Sequence, residues 1–408
     1  MSSTASRDEE RLLVVGAGPI GLTAALALRA KGFAVTVLEA EPEGRPRPGS
    51  RAIFVHRETL EHLEHMLHGV GWEIAANGLV WSTKRTFWGD KQVYERTYPA
   101  LDPNVLPHST NLSQTATEGL LLDACKRAGV EFAWNHRIES VTTSPDGVEL
   151  TTDQGAVLSS PYVIAADGAR SGVRRALRIN MEGDRSDNAF VIVDVAEDEA
   201  NPLRPERIYY YEHPAVEKRN VLLVPFAGGW RCDLQCRPND DPTQFDSEDG
   251  VRRWVARVLP EKYADRVTWV STYRFLQVVA ETFVDEHRRV LLVGEAAHLF
   301  APFGARGMNS GVPDAVVAAA AIRAATDDPS QARPAIEGFN ETRREAALYN
   351  RDAAGLALAH MQARDLRIRI KRRTAAFLAR VGDRSGTWLD SAPYGPRSRA
   401  KTDRRGTY

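Results

Sequence analysis

The chain has 408 residues, with 53 Lys and Arg against 54 Asp and Glu for a formal charge of −1, and 43% hydrophobic residues. This is an ordinary soluble, globular balance for two or three domains of roughly 100 to 200 residues each, and it argues against nucleic acid as the main partner. Three cysteines, Cys125, Cys232 and Cys236, are too few for a disulfide framework and lack the second pair of a zinc site, so they read as buried small hydrophobes in a reducing compartment.

The N-terminal MSSTASRDEERLLVVG carries acids where a signal peptide needs positive charge, so no export is expected and the chain is placed in the cytoplasm. Arg11 to Val15 is a short apolar run that ends in glycines, as a buried parallel strand would. A helix should follow, with Pro19 in its first turn and Gly32 closing it, and Ala34 to Leu38 then completes a βαβ unit. After the loop EPEGRPRPGSR, the segment ETLEHLEHML has helical spacing of Leu60, Leu63 and Leu67. Val80 to Pro107 reads as strands and loops outside the nucleotide fold, and Thr115 to Ala128 as helix. Short strands around Val148 to Thr151 and Val157 to Ser159 precede YVIAA, which ends in Asp167-Gly168. From Asp187 to Val284 the runs FVIVDV, RIYYYEH, NVLLVPF and WRCDLQC alternate, with one helical piece near Val251 to Leu259, and predict an antiparallel sheet. RRVLLVG is a further buried parallel strand. The apolar stretch from Ala315 is broken by Arg323, well short of the ~18 residues a membrane span requires. The chain after Gly382 reads as loosely ordered.

The run GAGPIG places Gly16, Gly18, Pro19, Ile20 and Gly21 between a strand and a helix, with Glu39 eighteen residues after Gly21 at the end of the next strand. The first glycine permits the tight turn, the second lets the backbone approach a pyrophosphate, the third lets helix and strand pack, and the helix N-terminus attracts phosphates. Glu39 is placed to accept hydrogen bonds from an adenosine ribose and to repel a 2′-phosphate, which favours FAD or NAD over NADP at this site. Two later stretches bear on that choice. In VIAADGARSGVRR a strand ends in Asp167-Gly168. In RRVLLVGEAAHLFAPFGARGMNSGVPDA a strand ends in Gly294-Glu295, followed by a loop with Gly304, Gly307 and Gly311 and a helix opening near Pro313. Such a loop can lie flat against a bound group, and the helix N-terminus supplies potential suited to a reduced flavin's pyrimidine ring.

With these three motifs in this order, from Leu12 to Tyr349, the chain resembles the group A FAD-dependent aromatic monooxygenases related to p-hydroxybenzoate hydroxylase. The text SRAIFVHRETLE, WRCDLQ and GMNSG is particularly similar to the 3-(3-hydroxyphenyl)propionate hydroxylase branch. The resemblance implies an α/β fold: a Rossmann-like FAD-binding domain with a mixed parallel sheet (1–80, 108–185 and 286–330), a β-rich substrate domain (81–107 and 186–285), and C-terminal helices with a tail (331–408). Some relatives carry a thioredoxin-like C-terminal domain, for which a chain ending at Tyr408 is expected to have no room. The resemblance also implies FAD, with NAD(P)H and O2 as co-substrates, and because the motifs suit hydrogen bonding and not covalent attachment the FAD is expected to be non-covalent. A monomer or homodimer is expected, and the charge balance and the short apolar runs predict no nucleic-acid or membrane partner. The implied reaction is hydroxylation of an aromatic, phenolic substrate through a flavin C4a-hydroperoxide. The alternatives are epoxidation, Baeyer-Villiger insertion or oxidative decarboxylation of a polycyclic natural product, or flavin binding without turnover.

Carried over by position, Glu39 holds the ribose, Arg51 lies beside the flavin and Gln114 contacts the flavin chain. Asp167 belongs to the cofactor's Asp-Gly motif, Glu295 faces the ribityl hydroxyls, and Pro302 lines the reacting face. Gly307, Met308 and Asn309 border the ring, the last two through backbone groups. The family has Asp where this chain has Glu295, which calls for a longer side chain to fold back or for the contact to shift. YYYEHP resembles the substrate-tyrosine strand of p-hydroxybenzoate hydroxylase, and matching His213-Pro214 puts Tyr210 at the phenol-binding position, facing opposite to Tyr209 and Tyr211. The competing reading is that all three tyrosines cover a half-buried sheet face. His62, His65 and His68 drift around their helix and are expected on a solvated face, not at a metal. No GxSxG elbow is present for a serine hydrolase, and the basic RDLRIRIKRR from Arg364 to Arg373 reads as a solvated or domain-packing face.

Overall fold

A computed structural model describes residues 11–45, 52–379 and 381–396 of the chain. It opens with β1 (Arg11–Val15), α1 (Pro19–Ala30) and β2 (Ala34–Glu39), the βαβ unit predicted by the apolar runs and the proline and glycine punctuation. There follow β3 (Phe54–His56), α2 (Arg57–Met66), α3 (Val70–Asn77), β4 (Thr83–Trp88), β5 (Lys91–Thr97), β6 (Ser109–Asn111) and α4 (Gln114–Arg127). Next come β7 (Glu131–Trp134), β8 (Ile138–Ser144), β9 (Gly147–Thr152), β10 (Val157–Ser160), β11 (Val163–Ala165) and α5 (Gly172–Ala176). The second half holds β12 (Met181–Ala196), β13 (Glu206–His213), β14 (Arg219–Phe226), β15 (Gly229–Gln235), α6 (Thr243–Asp246), α7 (Glu248–Val258) and β16 (Val267–Ala280). It closes with β17 (Val290–Leu292), β18 (His298–Leu299), α8 (Arg306–Asp327), α9 (Ala332–Gln362), α10 (Leu366–Leu378) and α11 (Asp383–Ser391).

Two sheets organise these elements. The first is five-stranded and parallel throughout, in the order β17-β11-β1-β2-β7. Its strands are almost entirely apolar because both faces are covered. The second has eight strands in the order β18-β16-β12-β15-β14-β13-β4-β5, antiparallel except where β13 runs parallel to β4. One face of this sheet carries a separate apolar layer in which Val191, Val193, Leu223, Cys232 and Leu234 pack with Trp254 and Val255 of α7. The other face joins the main core through Phe190, Tyr209, Tyr211 and Phe275. A two-stranded ribbon, β3 with β6, bridges the two regions: Asn111 Nδ2 donates to the Pro225 carbonyl at 2.7 Å.

Two expectations are corrected, and the basic run takes the packing one of its two readings at Arg372. From Gly382 to Pro396 the segment is not loose: α11 docks on the large sheet, Asp390 is 2% exposed, and its carboxylate is held by Lys84, Arg207 and Thr86. Those partners lie some two to three hundred residues away, so no local pattern announces them. The histidine-bearing face of α2 is only partly solvated. His62 is half-buried, and burial, with His65 and Arg343 nearby, pushes its pKa down to about 4. In the basic run, Arg372 is buried, donates to the carbonyls of His360 and Met361, and lies over the rings of Trp88 and Tyr211. Among the described residues no helix is long and apolar enough to cross a membrane.

Candidate active site

Ile20 joins the first and third of the glycine-bearing motifs, and Ala166 of the second lies against Gly16 and Gly21. Gly16 has φ 102°, a left-handed conformation that disfavours a side chain, and its amide donates to the Leu38 carbonyl at 2.8 Å. A Cβ on Gly21 would run into the Gly16 carbonyl, so strand and helix need that glycine to pack. Ile20 fills the space beside Gly294 and Gly311: a Cβ on Gly311 would lie 2.6 Å from its Cδ1, and one on Gly294 3.0 Å from its Cγ1. The Ile20 side chain is therefore a packing pin between motifs, whatever its backbone does. Gly18 differs from its neighbours, because a Cβ there would meet nothing within 4 Å. It is the N-cap of α1, and Pro19 at the first helical position gives up only an N–H that has no helical partner, leaving those of Ile20 and Gly21 aimed outward.

Glu39 is buried at 7% exposure. Its Oε2 accepts from the Ala17 amide at 2.7 Å and its Oε1 from the Glu41 amide at 3.1 Å, which anchors the carboxylate beside the Gly16 turn. Asp167 Oδ2 accepts from the Val173 amide at 3.1 Å, whereas its Oδ1 is buried with no partner among the described residues. The guanidinium of Arg174 donates to the Ala296 carbonyl at 2.9 Å and so ties this turn to the Gly294-Glu295 turn. The Gly294 amide in turn donates to Asp314 Oδ2, which also meets His298 Nε2 at 2.7 Å, while Arg343 Nε donates to Asp314 Oδ1 at 2.7 Å. Burial alone would raise the Asp314 carboxyl, but Arg343 and His298 hold it down at about 2.

Glu295 itself is exposed and makes no hydrogen bond or ion pair among the described residues. Glu295→Asp is therefore expected to leave the melting temperature unchanged, since exposed substitutions usually stay within about 0.5 kcal/mol. FAD affinity should hold or tighten, as read by fluorescence titration. A large loss of affinity would mean that the local backbone has adapted to the longer side chain.

The helix expected near Pro313 opens seven residues earlier, at Arg306, and Pro313 lies inside it. Gly304 (φ 80°) and Ala305 (φ 55°) turn the chain sharply enough to start α8 early. As a result the free amides of its first turn are those of Arg306, Gly307 and Met308. Asn309 was expected to offer backbone, but its amide falls at the first position with a helical acceptor, and its side chain is engaged instead. Its Oδ1 accepts from the His56 amide (3.0 Å) and the Thr59 hydroxyl (2.7 Å), and its Nδ2 donates to the carbonyls of Phe54 (2.9 Å) and Ala305 (2.7 Å). The sequence reading missed Arg306, whose guanidinium holds Asn350 Oδ1 at 2.7 Å and the Pro396 carbonyl at 2.7 Å, fastening the C-terminal segment to the loop. Pro302 is exposed at the mouth of this loop, and Gln114, the first residue of α4, donates to Glu118 at 2.8 Å. Arg51 lies outside the described residues.

The large sheet sets one face toward this loop. Phe190 packs on Phe303, the neighbour of Pro302, with ring centroids 5.5 Å apart. Strand register puts Tyr209, Leu222, Asp233 and Ile192 in a row on that face, and Tyr210, Val221, Leu234 and Val191 on the opposite one. Tyr210 thus packs into the α7 layer, stacked on Phe87 at 4.8 Å and edge-on to His213 at 4.4 Å. The alternation of the three tyrosines is as expected, but it turns Tyr210 away from the loop and leaves Tyr209 and Tyr211 on the near side. Tyr210→Phe is accordingly expected to change neither flavin content nor product formed per NAD(P)H oxidised. A fall in that ratio would return Tyr210 to the substrate.

Open space over Gly18, a buried acceptor on Asp167 with no partner among the described residues, and free amides at two helix N-termini together fit a dinucleotide. A family model described as the FAD binding domain matches residues 9–347. Among curated proteins, 6-methylpretetramide 4-monooxygenase of Streptomyces rimosus is 31% identical over 325 residues, covering 76% of this chain and 54% of that protein. The 3-(3-hydroxy-phenyl)propionate/3-hydroxycinnamic acid hydroxylase of Escherichia coli (strain K12) is 26% identical over 310 residues, covering 75% of this chain and 54% of that protein. The chain spans about half the length of these curated relatives. The crystal structure of p-nitrophenol 4-monooxygenase from Pseudomonas putida DLL-E4 superposes with a TM-score of 0.76 at 25% identity, covering 95% of this chain and 99% of that one.

Proposed function

The chain belongs to the FAD binding domain family, and from that premise we propose that it is a flavin-dependent monooxygenase that hydroxylates an aromatic, phenolic substrate at the expense of NAD(P)H and O2. The observation that carries the reading is the facing of two surfaces: the loop Pro302 to Ala305 on one side, and on the other a sheet face that sets polar groups among aromatic ones. Relatives named for hydroxylation of phenol-bearing compounds support the same class.

In this reading the turn at Gly16 and Gly18 and the free amides of α1 take the pyrophosphate, and Glu39 takes the adenosine ribose. Asp167, Gln114 and Glu295 serve the chain between the rings, and the amides of Arg306, Gly307 and Met308 meet the pyrimidine edge, where the positive end of α8 favours negative charge. When bound, FAD would supply the redox chemistry, hydride acceptance and activation of O2. The protein's part is to hold the substrate ring against the Pro302 side of the loop, to exclude water with Phe190, Phe275 and Phe303, and to manage the substrate's hydroxyl proton.

The experiment is a yellow preparation precipitated with acid, followed by a screen of NAD(P)H oxidation with phenolic compounds and product mass. FAD in the supernatant and a mass gain of one oxygen are expected. Flavin retained in the pellet would refute non-covalent binding, and oxidation that no aromatic compound stimulates would leave a flavoprotein of another kind.

A further inference from the structure

We propose that Asp233 is the catalytic acceptor for the substrate's phenolic proton, with the Tyr209 hydroxyl as a second hydrogen-bond partner of the same oxygen. The proposal rests on the monooxygenase reading and names the residues that meet the substrate in it.

Position comes first. Asp233 sits between Ile192 and Leu222 in the sheet register, two residues from Gln235, which pairs with Phe190. Phe190 touches Phe303, so Asp233 lies on the face that the Pro302 loop approaches. Tyr209 is one strand beyond Leu222. Two strand spacings separate its backbone from that of Asp233, about 10 Å, a span that two inward-pointing side chains can close on one small group.

Both groups lack the partners that burial normally demands. Asp233 Oδ1 and the Tyr209 hydroxyl are buried without a hydrogen bond among the described residues. The contrast with their neighbours shows that the sheet can satisfy such groups. Tyr211, two residues from Tyr209, has its hydroxyl 2.6 Å from the Leu389 carbonyl and 2.8 Å from His360 Nε2. Arg231, two residues from Asp233, is engaged by Asp194 through two bonds of 2.8 Å, so this neighbouring cation is committed to another carboxylate.

Burial raises the Asp233 carboxyl to about 7, with Arg231 pulling it back and Asp194 pushing it up. A base poised there changes protonation near neutral pH, which suits proton transfer. The step balances without a further reagent. The phenolic O–H bond breaks, its electron pair stays on oxygen and enriches the ring, and the proton forms an Oδ–H bond on Asp233.

The test uses the FAD-loaded protein and two probes, 4-nitrophenol and nitrobenzene, which differ by the hydroxyl. The wild type should bind 4-nitrophenol at least tenfold more tightly by calorimetry. Asp233→Asn should erase most of that preference and Tyr209→Phe part of it, both with unchanged flavin content and melting temperature. With any phenol that is turned over, Asp233→Asn should also flatten the rise of kcat/KM through pH 7. A wild type that does not prefer the hydroxyl, or a full preference and an unaltered pH profile in Asp233→Asn, would overturn the proposal. A preference that depends on Asp233 in a protein whose NAD(P)H oxidation no phenol stimulates would keep this site and sink the monooxygenase reading.

Discussion

Gly18→Val is expected to yield a folded chain that no longer holds FAD. The position separates two requirements that coincide at the other glycines of the motif. At Gly16 a side chain would clash with the backbone at Ala166 and suffer a φ of 102°, and at Gly21 it would strike the Gly16 carbonyl, so substitutions there damage the fold itself. Gly18 has φ −76° and ψ 179°, an extended conformation that valine adopts readily, and no protein atom within 4 Å of the added Cβ. The branched side chain would instead occupy the space through which a pyrophosphate reaches the free amides of α1. FAD affinity should fall about 100-fold or more, equivalent to about 2.8 kcal/mol, while circular dichroism stays that of the parent. Full flavin occupancy in this variant would mean that the turn is structural and the cofactor sits elsewhere.

The ease of reading this region from sequence, and the difficulty elsewhere, have a common physical origin. A βαβ unit is written locally: apolar runs for β1 and β2, a proline at the first position of α1, glycines at the turn, and Glu39 at the strand end. The alternation of β13 is local too, and it correctly set Tyr209 and Tyr211 apart from Tyr210. Which of the two faces looks toward the cofactor is not local, because it depends on how the sheet docks through Phe190 and Phe303, 113 residues apart in the chain. Matching His213-Pro214 to a relative's strand therefore chose a residue of the outer layer. The start of α8 shows the same limit at shorter range. Pro313 is a common helix opener, but the left-handed residues Gly304 and Ala305 had already turned the chain. Asp233 gave no signal in its own segment, since WRCDLQC reads as an alternating strand whether the aspartate meets solvent or a cavity.

Asp390→Ala should be among the most damaging single changes outside the nucleotide fold. Its carboxylate is almost fully enclosed, at 2% exposure, and is the shared acceptor of Lys84 and Arg207, themselves 6% and 1% exposed. The Thr86 hydroxyl adds a hydrogen bond at 3.0 Å. Removing the anion leaves two buried cations facing each other without compensation, a situation that costs about 3–5 kcal/mol. The loss should be read first as release of α11, because that helix reaches the sheet through this cluster and through the Leu389 carbonyl that accepts from Tyr211. Protease cleavage between Gly382 and Pro396 should precede global melting. Since the Pro396 carbonyl is held by Arg306 at the start of α8, a freed C-terminal segment should also loosen the loop on which FAD affinity depends. Asp390→Leu combined with Lys84→Met should recover part of the stability, because fewer buried charges then lack a partner. Unchanged melting and protease resistance in Asp390→Ala would show that the C-terminal helix is held without this ion cluster.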